Sequence, residues 1–442
     1  MENRNPVKTL GWIMIMILLP IVGIVLYVFF GQNLRRKKII NNKLKFPNPN
    51  ISMRYFDAPE RLDKVASLLV ETAGACVTDG NNVEVFTTGV DAFKSLYNDI
   101  EQAKEHIHIE FYIIENDRLG NKFRELLEKK AREGVKVRVI YDYFGAWRLP
   151  IPWRMSLKKA GAFVRPFLAA DNFLKFTLLN YRNHRKLVVI DGKIAYTGGM
   201  NLAERYRFGN YLGLWRDTFV KVNGPAVHSM QYSFLIDWSF VEGEVVTDKR
   251  YYPELPYFEK GEKIQIVTSG PDSDWRSIMQ GVVAAILKAE KEVLIHTPYY
   301  IPPEPVMNAL ETAALSGVRV CIMMPERNDS KIVAAASRSY IESALAAGVE
   351  VFYYQNNYLH SKAIVVDGYL SIVGTANVDN RSYEQNFEIA AFIYGENTAK
   401  YLVSSFLQDI QSSRMLNLNI WKHRKWNKRC AESLARLFSP LL

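Results

Sequence analysis

The feature that most constrains this chain is a motif that occurs twice. Both copies read H-x-K-x(4)-D, and equivalent residues of the two copies lie 176 positions apart. The first copy supplies His184, Lys186, Asp191 and, further on, Asn201; the second supplies His360, Lys362, Asp367 and Asn377. One H-x-K would be weak evidence, but two copies in constant register indicate a duplicated domain.

The residues around each motif predict a β-hairpin. Apolar runs at 187–190 and 363–366 each end in Asp-Gly, a dipeptide typical of tight hairpin turns. Because residues two apart on a strand share a face, each motif presents its histidine and its lysine on the same side. An ammonium group attracts phosphate oxygens, and an imidazole serves as nucleophile or as acid and base near neutral pH. The pairing predicts chemistry on a phosphodiester.

The duplication extends well beyond the motifs. A strand, a helix, a glycine turn and a second strand are predicted across 107–140 and again across 293–323. Helix-like and strand-like segments alternate from there to near the C-terminus. The pattern predicts an α/β fold with two similar domains that face each other across a pseudo-twofold axis, with a site at their interface. We place the first domain at 46–255 and the second at 256–442, after an N-terminal segment at 1–45.

The basic charge of the chain lies at its two ends. The formal net charge is +10, but residues 1–54 and 412–442 together carry +14, so the residues between them carry −4. A nucleic-acid groove needs Lys and Arg side chains that neutralise phosphates. We therefore expect no nucleic-acid partner for the region that contains both motifs.

The N-terminal segment predicts a membrane anchor. Residues 10–30 form a run of 21 residues without a charge, enough for one helix that crosses the hydrocarbon layer. A cleavable signal peptide is the alternative, but its apolar region is usually only ~7–15 residues long. Six basic residues at 35–45 follow the run and two precede it, which places the rest of the chain in the cytoplasm. The same basic cluster attracts anionic lipid headgroups.

The other candidate ligands do not suggest a metal or redox site. The three cysteines lie far apart, and the His106-Ile107-His108 pair has no nearby cysteine or carboxylate array. We interpret the histidines outside the two motifs as structural; they are His106, His108, His228, His296 and His423. No G-x-x-x-x-G-K-[ST] loop is present, so a nucleotide is not indicated. We expect neither a metal nor a cofactor.

The combination of motifs resembles a known family. The paired H-x-K-x(4)-D motifs, with Gly-Gly-Met-Asn at 198–201 and Gly-Thr-Ala-Asn at 374–377, resemble the phospholipase D superfamily. Trp-Arg-Asp at 215–217, Thr-Pro-Tyr-Tyr-Ile-Pro at 297–302 and Asn-Phe-Glu at 386–388 are more closely similar to bacterial cardiolipin synthases. This resemblance implies two domains with a mixed sheet flanked by helices, and an enzyme of the bacterial inner membrane. Family members commonly carry two N-terminal spanning helices, whereas this chain has room for one.

The resemblance also implies a metal-free transfer in two steps between two molecules of phosphatidylglycerol, giving cardiolipin and glycerol. His184 would form a covalent phosphatidyl-histidine, while His360 would protonate the departing glycerol and then deprotonate the second lipid. The groups that would hold the phosphate oxygens are Lys186, Lys362, Asn201 and Asn377. Asp217 and Glu388 would orient the two histidines, and Asp191 and Asp367 would support the motifs.

Several alternatives stay open at this point. A hydrolytic phospholipase D would use the same groups, as would a phosphatidyltransferase that takes phosphatidylethanolamine or another alcohol as co-substrate. A nuclease of the same superfamily and a catalytically inactive lipid-binding protein are further alternatives. Aromatic and basic residues alternate at 421–438, which is compatible with a helix in a membrane interface or with a basic helix packed on the domain. The residues do not indicate the oligomeric state.

Overall fold

The computed structural model describes residues 6–27, 63–169, 180–243, 245–355 and 357–441. The first half of the folded region is an α/β unit. Its strands are β1 (Thr78–Thr88), β2 (His106–Phe111), β3 (Lys136–Asp142), β4 (Phe163–Phe167), β5 (Lys186–Ile190), β6 (Ile194–Gly198) and β7 (Trp215–Asn223). Its helices are α4 (Gly89–Gln102), α5 (Arg118–Arg132), α6 (Ile151–Lys159), α7 (Arg205–Phe208) and α8 (Ala226–Glu242), after α3 (Asp63–Ala73). A 3₁₀ turn follows at Lys249–Tyr251.

The second half repeats the first. Its strands are β8 (Glu262–Ser269), β9 (Glu292–His296), β10 (Tyr300–Ile301), β11 (Arg319–Pro325), β12 (Glu350–Tyr354), β13 (Tyr358–Leu359), β14 (Ala363–Val366), β15 (Leu370–Gly374), β16 (Val378–Asp379), β17 (Glu388–Tyr394) and β18 (Ser413–Met415). Its helices are α9 (Ser277–Leu287), α10 (Glu304–Leu315), α11 (Lys331–Ala346), α12 (Asn380–Glu384) and α13 (Glu396–Gln411).

The strand order of the two halves is the same, which confirms the predicted duplication. The first half runs β4-β3-β2-β5-β6-β7-β1, and the second runs β12-β11-β9-β14-β15-β17-β8, with β18 added at its outer edge. In each half two parallel neighbours, β2 with β3 and β9 with β11, lie beside antiparallel strands, so the sheet is mixed. The halves join where β1 pairs with β8. A separate parallel pair, β10 with β16, lies off this sheet.

The hairpins predicted around the two motifs are present. β5 pairs with β6 and β14 pairs with β15, both antiparallel. Asp191 and Asp367 stand at the turns with φ of 52° and 53°, and the glycines that follow have φ of 64° and 61°. Positive φ at both central residues of a two-residue turn matches the twist of the flanking strands, and Asp-Gly tolerates it. The local sequence therefore determines these turns.

Three apolar cores hold the sheet and its helices together. One lies mainly in the first half, with Tyr358 of β13 added to it, and one lies mainly in the second. The third is shared, because it contains Leu187 and Val189 of β5 together with Ala363 and Val365 of β14. Strands β5 and β14 are buried on both faces, which explains why their sequences are continuous apolar runs. The shared core fixes the two motifs relative to each other.

Helix α3 packs on the second half although it precedes the first in the chain. Val65 and Leu69 are fully buried in the core of the second half. The side-chain amide of Gln265 on β8 donates to the carbonyls of Ala66 and Ala75 at 3.0 and 2.7 Å. The sequence placed this helix in the first domain, from 46 to 255. In the structure residues 63–77 pack on the second half and lead into β1 of the first half.

The N-terminal segment differs from the single continuous helix expected from its composition. It forms α1 (Pro6–Leu18) and α2 (Pro20–Leu26), because Pro20 has no N–H to continue the first helix and instead begins the second. The two helices pack closely at Gly23, where a Cβ atom would lie 2.8 Å from the carbonyl oxygen of Ile15. Residues 28–30 of the expected span lie outside the described residues. In the described part of the chain, no helix has the length and apolar character that crossing a membrane requires.

The C-terminal residues form α14 (Leu418–Lys422), α15 (Trp426–Arg436) and a 3₁₀ turn at Ser439–Leu441. Glu432 is buried and pairs with Arg338 of α11 at 3.0 Å and with Arg424 at 2.8 Å. Trp426 nevertheless remains 77% exposed and Leu437 74% exposed. One side of α15 therefore packs on the second half, and the other presents apolar side chains to the surroundings.

Candidate active site

The two halves exchange backbone hydrogen bonds at the motif histidines. The N–H of His184 donates to the carbonyl of Phe387 at 3.0 Å, and the N–H of His360 donates to the carbonyl of Arg216 at 2.8 Å. Phe387 directly precedes Glu388, the first residue of β17, and Arg216 directly precedes Asp217, near the start of β7. The exchange is reciprocal, as a pseudo-twofold axis between the halves requires. Each histidine is thereby held against the other half.

Each imidazole is paired with a carboxylate from the opposite half. His184 Nδ1 lies 2.9 Å from Glu388 Oε1, and His360 Nδ1 lies 2.7 Å from Asp217 Oδ2. Both carboxylate side chains are almost completely buried. An Nδ1–H that donates to a carboxylate fixes the ring orientation and the tautomer, so Nε2 carries the free electron pair in both rings. In His360 this Nε2 lies 3.2 Å from Nζ of Lys362.

The motif lysines lie beside their own histidines, as their spacing on the strands predicted. Lys186 Nζ donates to the carbonyl of His184 at 2.6 Å, and Lys362 Nζ donates to the carbonyl of His360. Both lysine side chains are buried. Burial lowers the pKa of Lys362 to about 8 and lowers the pKa of Lys186 well below its ordinary value. An anion bound between the two ammonium groups would favour their charged forms.

Burial makes both histidines neutral near pH 7. It lowers the pKa of His184 to about 4, although the charge of Glu388 opposes the shift. Burial and then the charge of Lys362 lower the pKa of His360 well below its ordinary value. A neutral imidazole has the free electron pair that a nucleophile requires. Each histidine can accept a proton only when additional negative charge enters the site.

The two carboxylates differ in their surroundings. Burial raises the pKa of Asp217 to about 6. Burial acts in the same direction on Glu388, but its pairing with His184, which includes a hydrogen bond, outweighs burial and holds the pKa of Glu388 below its ordinary value. Thr375 adds to this effect because its hydroxyl donates to Glu388. The carboxylate beside His184 is therefore the more firmly ionised of the two.

One pair of positions related by the repeat accounts for part of this difference. Thr375 lies 176 residues after Gly199, the same offset that separates the motifs. A Cβ atom on Gly199 would overlap the carboxylate of Asp217. Glycine in the first half therefore makes room for a carboxylate, whereas threonine in the second half supplies a hydrogen bond to one.

The two asparagines expected to bind phosphate have hydrogen-bond partners within the protein. Asn201 accepts from the N–H of Ile113 at 3.1 Å and donates to the hydroxyl of Tyr206 at 2.6 Å. Asn377 donates to Asp379 at 2.9 Å, and its buried Oδ1 has no hydrogen-bond partner within the described residues. Each amide nitrogen carries a second N–H, which could donate to a phosphate oxygen.

Asp191 and Asp367 lie at the other ends of their strands, away from the histidines. Asp191 accepts from the N–H groups of Lys104 and Glu105 at 2.8 Å and of His106 at 2.9 Å. Asp367 does the same for the loop before β9, accepting from residues 290–292 at 2.7 to 3.0 Å. Both carboxylates satisfy backbone donors that would otherwise have no partner where a helix passes into a strand.

Aromatic rings border both imidazoles, and two of them, Tyr112 and Tyr206, belong to no motif identified in the sequence. The ring of Tyr112 lies 4.9 Å from that of His184. The rings of Tyr206 and Trp215 lie 5.5 and 5.2 Å from that of His360. These residues come from three different elements or loops, so sequence spacing could not place them together. The rings limit the access of water to the imidazoles.

The other buried histidines contact polar groups of the protein. His106 and His108 both contact the side-chain amide of Gln231, at 3.0 and 2.8 Å. His296 lies 3.3 Å from Asp409, which also accepts from Arg216 at 3.1 Å. Through Arg216 this second group adjoins the carboxylate that orients His360. Among the described residues, no cluster of three or more His, Cys, Asp or Glu side chains is arranged to bind a metal ion.

The fold and this site define a two-domain enzyme of the phospholipase D type. Residues 96–227 and 282–410 match the family model described as cardiolipin synthase, phospholipase D-like domain. Residues 1–32 match a second model, described as phospholipase D-nuclease N-terminal. The chain belongs to the cardiolipin synthase family. The resemblance expected from the paired motifs is thereby confirmed.

Named relatives match over the whole chain. The chain is 39% identical to the major cardiolipin synthase of Bacillus subtilis (strain 168), with all of this chain and 95% of that protein covered. It is 37% identical to a cardiolipin synthase of Geobacillus kaustophilus (strain HTA426), with all of this chain and 90% of that protein covered. The solved structure of a phosphatidylserine synthase from Haemophilus influenzae covers 87% of this chain and 100% of its own, with a TM-score of 0.64 and 14% identity. That structure shares the fold.

Proposed function

We propose that this enzyme transfers a phosphatidyl group from one phosphatidylglycerol to another, giving cardiolipin and free glycerol. The observation that carries the proposal is the reciprocal pairing of two buried histidines with carboxylates of the opposite half, beside two buried lysines. The names of the full-length relatives agree with it. One phosphodiester is exchanged for another, so the reaction needs no nucleotide.

In the first step Nε2 of His184 attacks the phosphorus of phosphatidylglycerol. The bond from phosphorus to the glycerol oxygen breaks as the phosphorus–nitrogen bond forms, and His360 gives its Nε2 proton to the departing oxygen. The negatively charged phosphodiester supplies the charge that allows His360 to hold this proton. The product of the step is a phosphatidyl-histidine and free glycerol.

In the second step His360 takes the proton from a glycerol hydroxyl of a second phosphatidylglycerol. The hydroxyl oxygen attacks phosphorus, the phosphorus–nitrogen bond breaks, and His184 is regenerated as cardiolipin leaves. Glu388 stabilises the positively charged imidazole of the intermediate, and its ionised state suits it to the nucleophile's side. This asymmetry favours His184 as the nucleophile. The lysines and the amides of Asn201 and Asn377 stabilise negative charge on the phosphate oxygens.

We also propose that the enzyme works at the cytoplasmic face of a bacterial inner membrane, anchored by its N-terminal segment. The side chains of Ile17, Leu18 and Ile21 in the two short helices are 71–81% exposed. The loop between β3 and α6 contains Trp147, which is 66% exposed. Gly145 of the same loop lies close to Tyr112, whose ring borders His184. An apolar loop beside the catalytic groups is suited to a lipid surface. We propose domain boundaries at 46–255 and 256–442, with helix α3 of the first range packed on the second half.

The test uses purified full-length protein in mixed micelles, with labelled phosphatidylglycerol as the lipid substrate and chromatography of the products. Cardiolipin and glycerol in equal amounts are expected, and the His184→Ala variant should form neither. His423→Ala is the matched control, because His423 is exposed and lies on the C-terminal segment. Phosphatidic acid as the main product would instead identify a hydrolase and refute the proposal.

A further inference from the structure

A basic groove lies on the first half, outside the catalytic centre. It consists of two adjoining cavities of about 120 and 180 Å³ between α4, α5 and α7. Four cationic side chains line it: Lys94, Arg118, Lys122 and Arg207. The carboxylate of Glu204 also lines it, and the carboxylate of Asp117 caps α5 nearby. We call this the α4–α5–α7 groove.

The cations of this groove differ from their neighbours on the same helix. Farther along α5, Arg124 pairs with Glu128 at 2.5 Å and Lys130 pairs with Glu133 at 2.7 Å. Arg118 and Lys122 of the same helix form no ion pair with any residue of the described ranges. On helix α5, the cations farther from the groove thus form ion pairs, whereas Arg118 and Lys122, which line the groove, do not.

Two of the groove cations, Lys122 and Arg207, contact aromatic rings. Lys122 Nζ lies 4.3 Å from the ring centre of Tyr97, and the guanidinium of Arg207 lies 4.8 Å from that of Phe208. Arg207 Nε is buried and has no hydrogen-bond partner within the described residues. A buried donor without a partner costs stability, so it is a natural site for an external acceptor.

We propose that the α4–α5–α7 groove is a second, non-catalytic site that binds the phosphate group of an anionic phospholipid. Phosphate oxygens accept hydrogen bonds from the fork of an arginine and from lysine ammonium groups. Phe208 follows Arg207 directly and is 52% exposed, and Tyr211 and Leu214 in the loop after it are 78% and 58% exposed. An apolar loop beside a phosphate site matches a headgroup attached to acyl chains better than a free phosphate ion.

The groove has a direct structural connection to the catalytic centre. Arg207 follows Tyr206, whose ring packs on His360 and whose hydroxyl accepts a hydrogen bond from Asn201. A lipid held in the groove would therefore limit the movement of α7 beside one catalytic histidine. The site does not depend on the reaction proposed above, because it binds lipid without transforming it.

The test counts bound lipid in a chain that cannot turn over. Full-length protein carrying His184→Ala is dialysed against radiolabelled short-chain phosphatidylglycerol below its micelle concentration, with and without inorganic phosphate as competitor. Adding Lys122→Gln and Arg207→Gln should remove one equivalent of bound lipid per chain. The His184→Ala chain does not turn over its substrate. The number of bound lipids is therefore independent of whether the enzyme makes cardiolipin.

Controls keep the result interpretable. Lys158→Gln with Lys159→Gln removes the same charge from exposed positions of α6 and should remove no bound lipid. If the groove variant does not fold, Lys94→Gln with Arg118→Gln replaces it, since both side chains are exposed. An unchanged lipid count in the folded groove variants overturns the site. The lipid assignment is overturned if inorganic phosphate fills the groove and the groove variant still binds as much lipid as the chain with the unsubstituted groove.

Discussion

Replacing Glu388 by glutamine tests whether the carboxylate beside His184 contributes its charge to catalysis. The substitution keeps the size of the side chain but removes the charge that lies 2.9 Å from the imidazole Nδ1. A hydrogen bond to a charged group contributes about 1.5–3 kcal/mol. At about 1.4 kcal/mol per factor of ten, loss of this stabilisation in the transition state should lower kcat by roughly 10- to 150-fold. The KM for phosphatidylglycerol should change little, since Glu388 is buried behind the imidazole.

The assay measures glycerol release from headgroup-labelled phosphatidylglycerol on the time scale of a single turnover. The first step should slow in the Glu388→Gln variant, and acid-quenched samples should contain less phosphatidyl-histidine. Glu262→Gln is the matched control, because Glu262 is a buried carboxylate that accepts from the N–H of Thr398 at 3.0 Å at the start of α13. It should lower thermal stability without changing kcat of the folded protein. A kcat within twofold of the unsubstituted enzyme in Glu388→Gln would show that the charge is not used.

Four further outcomes are expected. Because the folded pKa of His184, about 4, is below the unfolded value of 6.5, the free energy of unfolding should fall by about 3 kcal/mol as the pH drops from about 6.5 to 4. Denaturant titration should show a smaller fall in His184→Gln. Asp191→Asn should lower the melting temperature, because the carboxylate accepts hydrogen bonds from three backbone N–H groups, while the folded enzyme keeps its kcat. Gly199→Ala should reduce kcat at least 100-fold, because the added methyl displaces the carboxylate of Asp217; equal activity would contradict this geometry. Exposed Cys430 should react with an impermeant maleimide only after protoplasts are lysed, and labelling of intact protoplasts would reverse the proposed topology.

The parts of the fold that depend on local spacing could be predicted from the sequence. The repeat offset predicted two similar halves, and the halves have the same strand order. Asp-Gly after each apolar run predicted the hairpins, since positive φ at both turn residues is a local requirement. The spacing of two residues placed each lysine beside its own histidine, although both histidines lie just before the hairpin strands. Each of these features involves residues close together in the chain or related by one constant offset.

Two predictions about organisation needed information that composition does not carry. The apolar run at 10–30 was long enough for one helix, but Pro20 divides its described part into two short helices. Helix α3 was placed with the first half because it is adjacent in sequence. Burial of Val65 and Leu69 in the core of the second half depends on which apolar face is available after both halves have folded.

The sequence by itself determined the class of chemistry, because two histidines and two lysines in constant register are legible without a structure. Only the tertiary structure decided which carboxylate meets which imidazole: His184 and Glu388 are 204 residues apart, and His360 and Asp217 are 143 apart. It also decided that Gly199 makes room for one carboxylate while Thr375 donates to the other. The physical reason is that these contacts cross the interface between the halves. No periodicity within a strand or helix specifies how two folded surfaces dock.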